Sequence, residues 1–475
     1  MKNKFFLASL LLGILCGCAH TGSSNSEGAK EEVAQASTFH LRDYQVQTLD
    51  NGLRVIWIKD SRLPIVSMVT AIRSGGSFDP KGREGLAGMT GALLDKGIPG
   101  KNAVAIAETL EQRADAFGAS VDADVTYIGI RGLSFHRDET LHDFYSLITQ
   151  PTFPNAELER QRKITLAGLN RLRDRPGEFA SLVFNKYLFG DHPYAHDGIG
   201  TSASVAKIRR EDVVDYHKKF YSPDRATLVV VGQFDDEFKQ NVIQTFSAWR
   251  KSGVGGLAIT TPQVQPGFSI LEVVKPEMQQ TEIRMGHLGV KRNIQDHIAL
   301  KVANTIFGES SFSSRLWDEI RLKRALTYGV GSYFDQRTEP GAFEISTFTR
   351  NDKIHEMVET LLATLHEFRE KGVTPTEVEN AKAMLKSRFP HILETGDDLA
   401  RQLLVLDLNG VPFDYLKTFQ QEIDKITTTQ VNEAITKHYH PENLKIVVFG
   451  PANNKGMESL KDFGPVKIEN FKDAL

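Results

Sequence analysis

The sequence predicts two homologous α+β domains with mostly antiparallel sheets and packed helices. Three observations predict it. Strand-like and helix-like stretches run in blocks rather than in strict alternation, which disfavours a doubly wound parallel fold. Ile208, Val213, Tyr221, Pro223, Val230 and Gly232 recur as Ile426, Val431, Tyr439, Pro441, Val448 and Gly450, all displaced by the same 218 residues, as a duplicated domain requires. Between the copies, Ser252–Gly256 with Pro262 and Pro266 beyond reads as an interdomain linker.

In the first copy, Leu53–Lys59 and Ile65–Ile72 are apolar strands around the turn-forming Asp60–Pro64. A Gly-rich loop leads into Glu84–Gly97, a helix-like stretch. Ala103–Phe117 reads as an amphipathic helix, and Ser120–Gly132 alternates as a strand. Helices are expected over Asp138–Ile148 and Asn155–Asp174. An amphipathic helix then ends in Tyr-x-Pro and leads into the strand Ala226–Val231. The second copy opens with strands near Ser269–Val274 and Thr281–Leu288, then helices over Asp296–Phe307 and Arg315–Lys323, then strands near Tyr328–Tyr333 and Ala342–Phe348. Ile354–Phe368 places Ile354, Val358, Leu361, Leu362, Leu365 and Phe368 on one apolar side. Thr374-Pro375-Thr376-Glu377 is a helix start with cap, Pro at N1 and Glu at N3.

The 475 residues are 40% hydrophobic and 25% charged, with a net charge of −3. That is a globular composition with ample core and no basic run that would favour nucleic acid. Lys2 and Lys4 precede the short apolar stretch Phe5–Leu15, too short for a good membrane span. Leu15-Cys16-Gly17-Cys18 then resembles a bacterial lipobox, with cleavage before Cys18 and a lipid on its sulfur. The plainer alternatives are an ordinary signal peptide with two incidental cysteines, or a weak anchor. Cys16 and Cys18 are the only cysteines, so the mature chain is expected to lack a disulfide. Ala19 after the cysteine points by resemblance to the outer membrane. Residues 19–37, rich in Ser, Gly, Glu and Ala, read as a tether.

The stretch EGLAGMTGALLDKG carries the functional argument. Gly88, Gly91 and Ala92 stand at i, i+3 and i+4 on one helix face, the spacing with which H-x-x-E-H presents two zinc ligands and a general base. All three positions are small and non-coordinating. Small residues here also suit close helix packing. His136, His142, His192, His196, His438 and His440 form loose pairs without a carboxylate at metal-ligand spacing, so they read as surface or hydrogen-bonding residues.

Gly85-Leu86-Ala87 and Leu93-Leu94-Asp95-Lys96-Gly97 match the flanks of the signature of the pitrilysin/insulinase family of inverted zinc peptidases, which the chain resembles from about Tyr44 onward. The resemblance implies two halves arranged as a clamshell. It places the family's first His at Gly88, its base Glu at Gly91 and its second His at Ala92. The third ligand, a Glu shortly before D-x-P, falls on Gly168, 76 residues after Ala92, when counted back from Asp174-Arg175-Pro176. Gly and Ala can neither bind zinc nor take a proton from its water.

In the second half, SSRLWDEIRLKRALTYGV resembles the family's other signature. There an Arg and a Tyr seven residues on bind the substrate backbone near the scissile bond, and the Tyr helps hold the tetrahedral intermediate. Arg321 and Tyr328 have that spacing. Both are good donors to a carbonyl gaining charge. The plainer reading is one charge on a helix face and a core aromatic opening a strand.

These features imply a signal peptide over 1–17, a lipidated tether over 18–40 and a peptidase-like domain with a degenerate zinc site over 41–250. A linker over 251–267 and a second peptidase-like domain over 268–475 follow. The function implied is a non-catalytic subunit of a heteromeric zinc endopeptidase, inactive alone, with zinc held by a homologous partner. Extended peptides would be the ligand, and the location would be the periplasmic side of the outer membrane. Two alternatives stand beside it: a peptide-binding or assembly module without peptidase activity, and an enzyme with an unusual metal site.

Overall fold

The computed structural model describes residues 41–474 apart from 197, 256, 257, 311 and 452–454. The signal peptide, Cys18 and the tether lie outside them. Among the described residues, no helix is long and apolar enough to cross a membrane.

The first half runs β1 (Gln45–Thr48), β2 (Arg54–Lys59), β3 (Ile65–Ile72), α1 (Leu86–Ala92), the small hairpin β4 (Gly97–Ile98) and β5 (Lys101–Asn102), then α2 (Ala103–Gln112). It continues through β6 (Ala116–Val121), β7 (Thr126–Leu133), α3 (Arg137–Thr149), α4 (Asn155–Leu172), α5 (Pro176–Phe189), α6 (Ser202–Val205), α7 (Arg210–Phe220), β8 (Ala226–Gly232) and α8 (Asp236–Ser247). Its main sheet has the order β1-β2-β8-β3-β7-β6, parallel only between β2 and β8.

The second half runs β9 (Ser269–Val274), β10 (Gln280–Leu288), α9 (His297–Asn304), β11 (Val330–Gln336), β12 (Pro340–Arg350), α10 (Ile354–Lys371), α11 (Pro375–Arg388) and α12 (Gly396–Leu408). It ends with α13 (Tyr415–Lys425), α14 (Thr428–His438), β13 (Lys445–Gly450), α15 (Lys455–Glu458) and β14 (Val466–Asn470). Its sheet order is β11-β12-β10-β13-β9-β14. Five strands repeat the first sheet, and only the last edge differs: β1 is antiparallel to β2, whereas β14 is parallel to β9. The mostly antiparallel α+β expectation therefore holds in both copies.

Three local expectations were too generous. The helix begun at Ala103 stops at Gln112 because Ala114 takes a left-handed φ of 57°, and the chain turns into β6. The single strand expected over Ser120–Gly132 is the end of β6, a turn, and β7. Asp122 Oδ1 makes the turn by accepting the N–H groups of Asp124 (2.8 Å) and Val125 (2.7 Å). Glu84–Gly97 is helical only over Leu86–Ala92. The Thr374 start is as expected: Thr374 Oγ1 accepts Glu377 N–H, and the Glu377 carboxylate accepts Thr374 N–H at 2.8 Å.

The central strands of each sheet are buried on both faces, and the two faces are covered by different halves of the chain. Val55, Trp57, Met68, Ile130 and Val230 point to the core shared with the helices of the first half. The alternate residues Ile56, Ile58, Val229 and Val231 point the other way and are also buried. That second face is covered by α12, which arrives from the second half. At Gly396 an added Cβ would lie 2.5 Å from Val231 Cγ1, so only Gly allows the approach. Asp407 then accepts hydrogen bonds from Arg54 and Thr227. The second sheet receives α5 from the first half in the same way. Phe179 packs on Phe449 at 4.8 Å, and Gly286 leaves room for the Phe184 ring. Arg284 donates to Ser181 Oγ (2.9 Å) and the Gly177 carbonyl (2.7 Å).

Asp407→Ala is expected to cost about 2–3 kcal/mol, since it removes a buried carboxylate and leaves the Thr227 hydroxyl without its acceptor. Chemical denaturation followed by tryptophan fluorescence measures it. A shift equivalent to a surface substitution would mean that α12 is not pinned through this residue.

Candidate functional site

Helix α1 begins where Gly85 takes a left-handed φ of 95°, a conformation that favours glycine. Its first N–H groups are capped from outside the helix. The Asp79 carboxylate accepts Gly85 N–H at 2.6 Å and Ala87 N–H at 2.7 Å. Burial pushes the Asp79 carboxyl up to about 8, against the pull of those donors. The sequence does not signal this cap, because an Asp six residues before Gly85 lies outside any capping spacing.

The four positions assigned to the lost zinc site fall on α1 and α4, which pack together. Thr165, one turn before Gly168, donates to Met89 Sδ at 3.5 Å, and Met89 lies between Gly88 and Gly91. At Gly88 an added Cβ would stand 2.7 Å from the Gly198 carbonyl oxygen, so the loop before α6 lies on the face from which an imidazole would project. That loop is held in turn, since Ser204 Oγ donates to the Glu84 carbonyl at 2.7 Å. At Gly91 an added Cβ would lie 2.9 Å from Val121 Cγ2 on β6. Ala92 is half-buried, and Gly168 has open space around it.

Zinc does not fit these residues. None supplies a donor atom, and the Gly88 face is closed by backbone. Among the described residues, no group of three or more His, Cys, Asp or Glu is arranged to hold a metal ion. Of the paired histidines, His192 meets the Thr260 carbonyl at 2.6 Å and His438 meets Asp296 Oδ2 at 2.8 Å. His136 packs on Phe135.

Arg321 and Tyr328 are brought together. Arg321 lies in the wide-turned helical segment Trp317–Leu322. Its Nη1 donates to the Tyr328 carbonyl at 2.6 Å. Its guanidinium stands 4.5 Å from the Trp317 ring centre and 5.3 Å from that of Tyr328. Tyr328 is 79% exposed and precedes β11 rather than opening it, so it is a surface aromatic rather than a core one. Phe312, also 79% exposed, packs edge-on against Trp317. The result is a ladder in which Arg321 is seated on the buried Trp317, with Phe312 and Tyr328 exposed on either side.

A groove was not legible in the sequence. It lies on the inner face of the first sheet, beside α12, where β3, β7 and β6 extend past the helix. Two adjoining cavities of about 540 and 510 Å³ share Ser67, Arg131, Asp397 and Arg401. No local signal links Arg131 to Arg401, since only the exchange of α12 brings them to one wall.

The comparisons agree with this architecture. Residues 207–385 match the family model described as the Peptidase M16 inactive domain. The chain is 25% identical over 453 residues to the "Non-peptidase homolog YmxG" of Helicobacter pylori, covering 94% of this chain and 98% of that protein. It is 22% identical to the "Uncharacterized zinc protease YmxG" of Bacillus subtilis, covering 86% and 98%. Among solved structures, a peptidase M16 inactive domain from Pseudomonas fluorescens superposes with a TM-score of 0.81 at 29% identity, covering 87% of this chain and 98% of that one. These likenesses support a two-domain α+β fold of the clamshell type seen in M16 proteins. Over most of its length the chain is similar to proteins of the M16, or pitrilysin/insulinase, family, and its residues 207–385 match the domain of that family described as inactive.

Proposed function

We propose that this chain is a non-catalytic subunit of a heteromeric zinc endopeptidase, supplying peptide-binding groups and chamber walls to a homologous subunit that holds the metal. The observation that carries the reading is the Arg321–Tyr328 pair. One guanidinium N–H is fixed by the Tyr328 carbonyl and the cation is seated against two rings. The remaining N–H groups and the exposed phenol can donate to a peptide carbonyl. A second feature suits an extended peptide. Strand β6 ends its sheet, with its outer edge unpaired by any other strand among the described residues, and Ala116, Gly118 and Ser120 are exposed along it. Such an edge accepts a further strand through main-chain hydrogen bonds. The proposed setting is the periplasmic side of the outer membrane, with Cys18 lipidated.

Reconstitution tests this. The mature protein, mixed with a zinc-motif relative from the same cell, is expected to cleave unstructured peptides. Arg321→Ala is expected to reduce that rate by about tenfold to a hundredfold, the loss of one or two charge-stabilising donors. Tyr328→Phe is expected to reduce it less. Rates equal to those with the intact chain would defeat the shared-site reading.

The alternative is a binding or assembly module with no peptidase partner. The exposed Phe312 and Leu322 beside the pair favour it, since a cluster of this kind suits a protein interface. A pull-down combined with peptide binding to the isolated chain separates the two.

A further inference from the structure

The inner groove of the first sheet carries an inference that rests on the peptide-binding reading of β6. Successive side chains of a strand alternate between faces. Ala116, Gly118 and Ser120 of β6 therefore share the groove face with Tyr127, Gly129 and Arg131 of β7, with which they pair in register as Ala116↔Arg131, Gly118↔Gly129 and Ser120↔Tyr127. A peptide added beside β6 would turn every second side chain toward the same groove. From its position opposite Ala116, Arg131 is two strand spacings inward, about 9.6 Å. An arginine and a glutamate side chain together span that gap. Nothing bulky intervenes: Ala116 carries one methyl, and at Gly118 an added Cβ would meet no atom within 4 Å.

Two arginines line this part of the groove, each beside one aspartate. Arg401 projects from α12 and Arg131 from β7, with side chains 69% and 53% exposed. Their carboxylate neighbours are loosely engaged. Arg131 stands 3.5 Å from Asp397, and Arg401 donates to Asp398 at 3.3 Å. Each guanidinium has five N–H donors, so most of the donors at the groove wall are available to a ligand. Asp397 Oδ1 is buried without a hydrogen-bond partner, so the floor opposes a second carboxylate and the two arginines must outweigh it.

We propose that this groove is a specificity subsite, in which Arg131 and Arg401 bind the carboxylate of an acidic side chain on a peptide strand paired to β6.

Fluorescence anisotropy on the full mature chain tests this. The probes are labelled eleven-residue peptides of Ser, Thr and Ala with Glu, Gln or Lys at the centre. The Glu peptide is expected to bind about threefold to tenfold more tightly than the Gln peptide, the range for exposed or half-exposed charge pairs. The Lys peptide is expected to bind more weakly than either. The advantage of Glu over Gln should shrink as salt rises from 50 to 500 mM. In R131Q/R401Q the ratio of Glu to Gln affinity should fall to one. The exposure of both side chains keeps folding intact, which thermal melting checks. Equal affinities for the Glu and Gln peptides in the parent chain would overturn the subsite and leave peptide binding standing. An unchanged ratio in the double variant would do the same. Absence of binding by all three peptides would overturn both this inference and the peptide-binding reading beneath it.

Discussion

Arg284→Met lowers the stability of the chain at pH 7 by about 3–5 kcal/mol, the cost of removing one member of a buried ionic cluster. Arg284 is buried on β10, where Glu344 lies 3.3 Å away and Glu282 3.1 Å away. The same guanidinium binds Ser181 and the Gly177 carbonyl on α5. Methionine fills the stem volume but leaves Glu344 buried with its charge uncompensated and takes two anchors from α5. Burial already raises the carboxyl pKa of Glu344 and of Glu282, and Arg284 opposes that rise. Without the arginine the folded-state values rise further. A carboxyl whose folded value lies above its unfolded value binds its proton more tightly in the folded state. Its contribution to stability is therefore greatest below the unfolded value and declines as pH rises through the folded one. The defect of Arg284→Met should be smaller at pH 5 than at pH 8. Denaturant midpoints for parent and variant at the two pH values measure this. A defect below about 1 kcal/mol, the scale of an ordinary neutral hydrogen bond, or one equal at both pH values, would show that the cluster does not hold the halves together.

The second large effect concerns the missing zinc site. Restoring all four positions, as G88H/G91E/A92H/G168E, does not restore a metal centre. The histidine at position 88 would have to displace the loop whose Gly198 carbonyl occupies its path, and the glutamate at 91 would press on Val121. Each crowded position costs about 1–3 kcal/mol. The quadruple variant is expected to melt well below the parent and to hold much less than one zinc per chain after dialysis. Gly168→Ala alone should behave in the opposite way. The site is open, so the gain in helix propensity raises stability by up to about 1 kcal/mol. Metal analysis by mass spectrometry and thermal melting read both outcomes. One tightly held zinc in the quadruple variant, with melting unchanged, would mean that the degeneration is confined to side chains and has not spread to the backbone around them.

How far the sequence could be read follows from the range of the forces involved. Strands with runs such as Ile65–Ile72 and Ser269–Val274 were placed to the residue, because an apolar run bounded by turn formers is a local signal. So was the Thr374 cap, which is made of side chains three residues apart. The C-terminal end of α2 and the break at Asp122 carry no such signal. One depends on a left-handed backbone at Ala114 and the other on a side chain folding back on its own amides, and neither changes the hydrophobic period. The family flanks located α1, yet nothing in them told that the Gly88 face would be covered by residues more than a hundred positions later. The pairing of Arg321 with Tyr328 was legible from spacing, whereas the exposure of Tyr328 was not, since an aromatic before an apolar strand reads as core. The groove between Arg131 and Arg401 depends wholly on long-range docking.

That docking has a consequence for how the protein is made. A chain emerging from its N-terminus has completed the first sheet once Gly232 is out. The inner face of that sheet, with Ile56, Ile58, Val229 and Val231 on it, stays bare until Gly396–Leu408 follows. Reciprocally, the second sheet needs α5, which has been waiting since Phe189. Neither half can finish alone, and contacts of such long sequence separation are slow to form. In the interval the nascent chain exposes an apolar sheet face that invites aggregation. Either half produced separately would be expected to need the other, added in trans, to become soluble. The exchange that holds the mature molecule together thus also leaves an apolar sheet face uncovered for much of its synthesis.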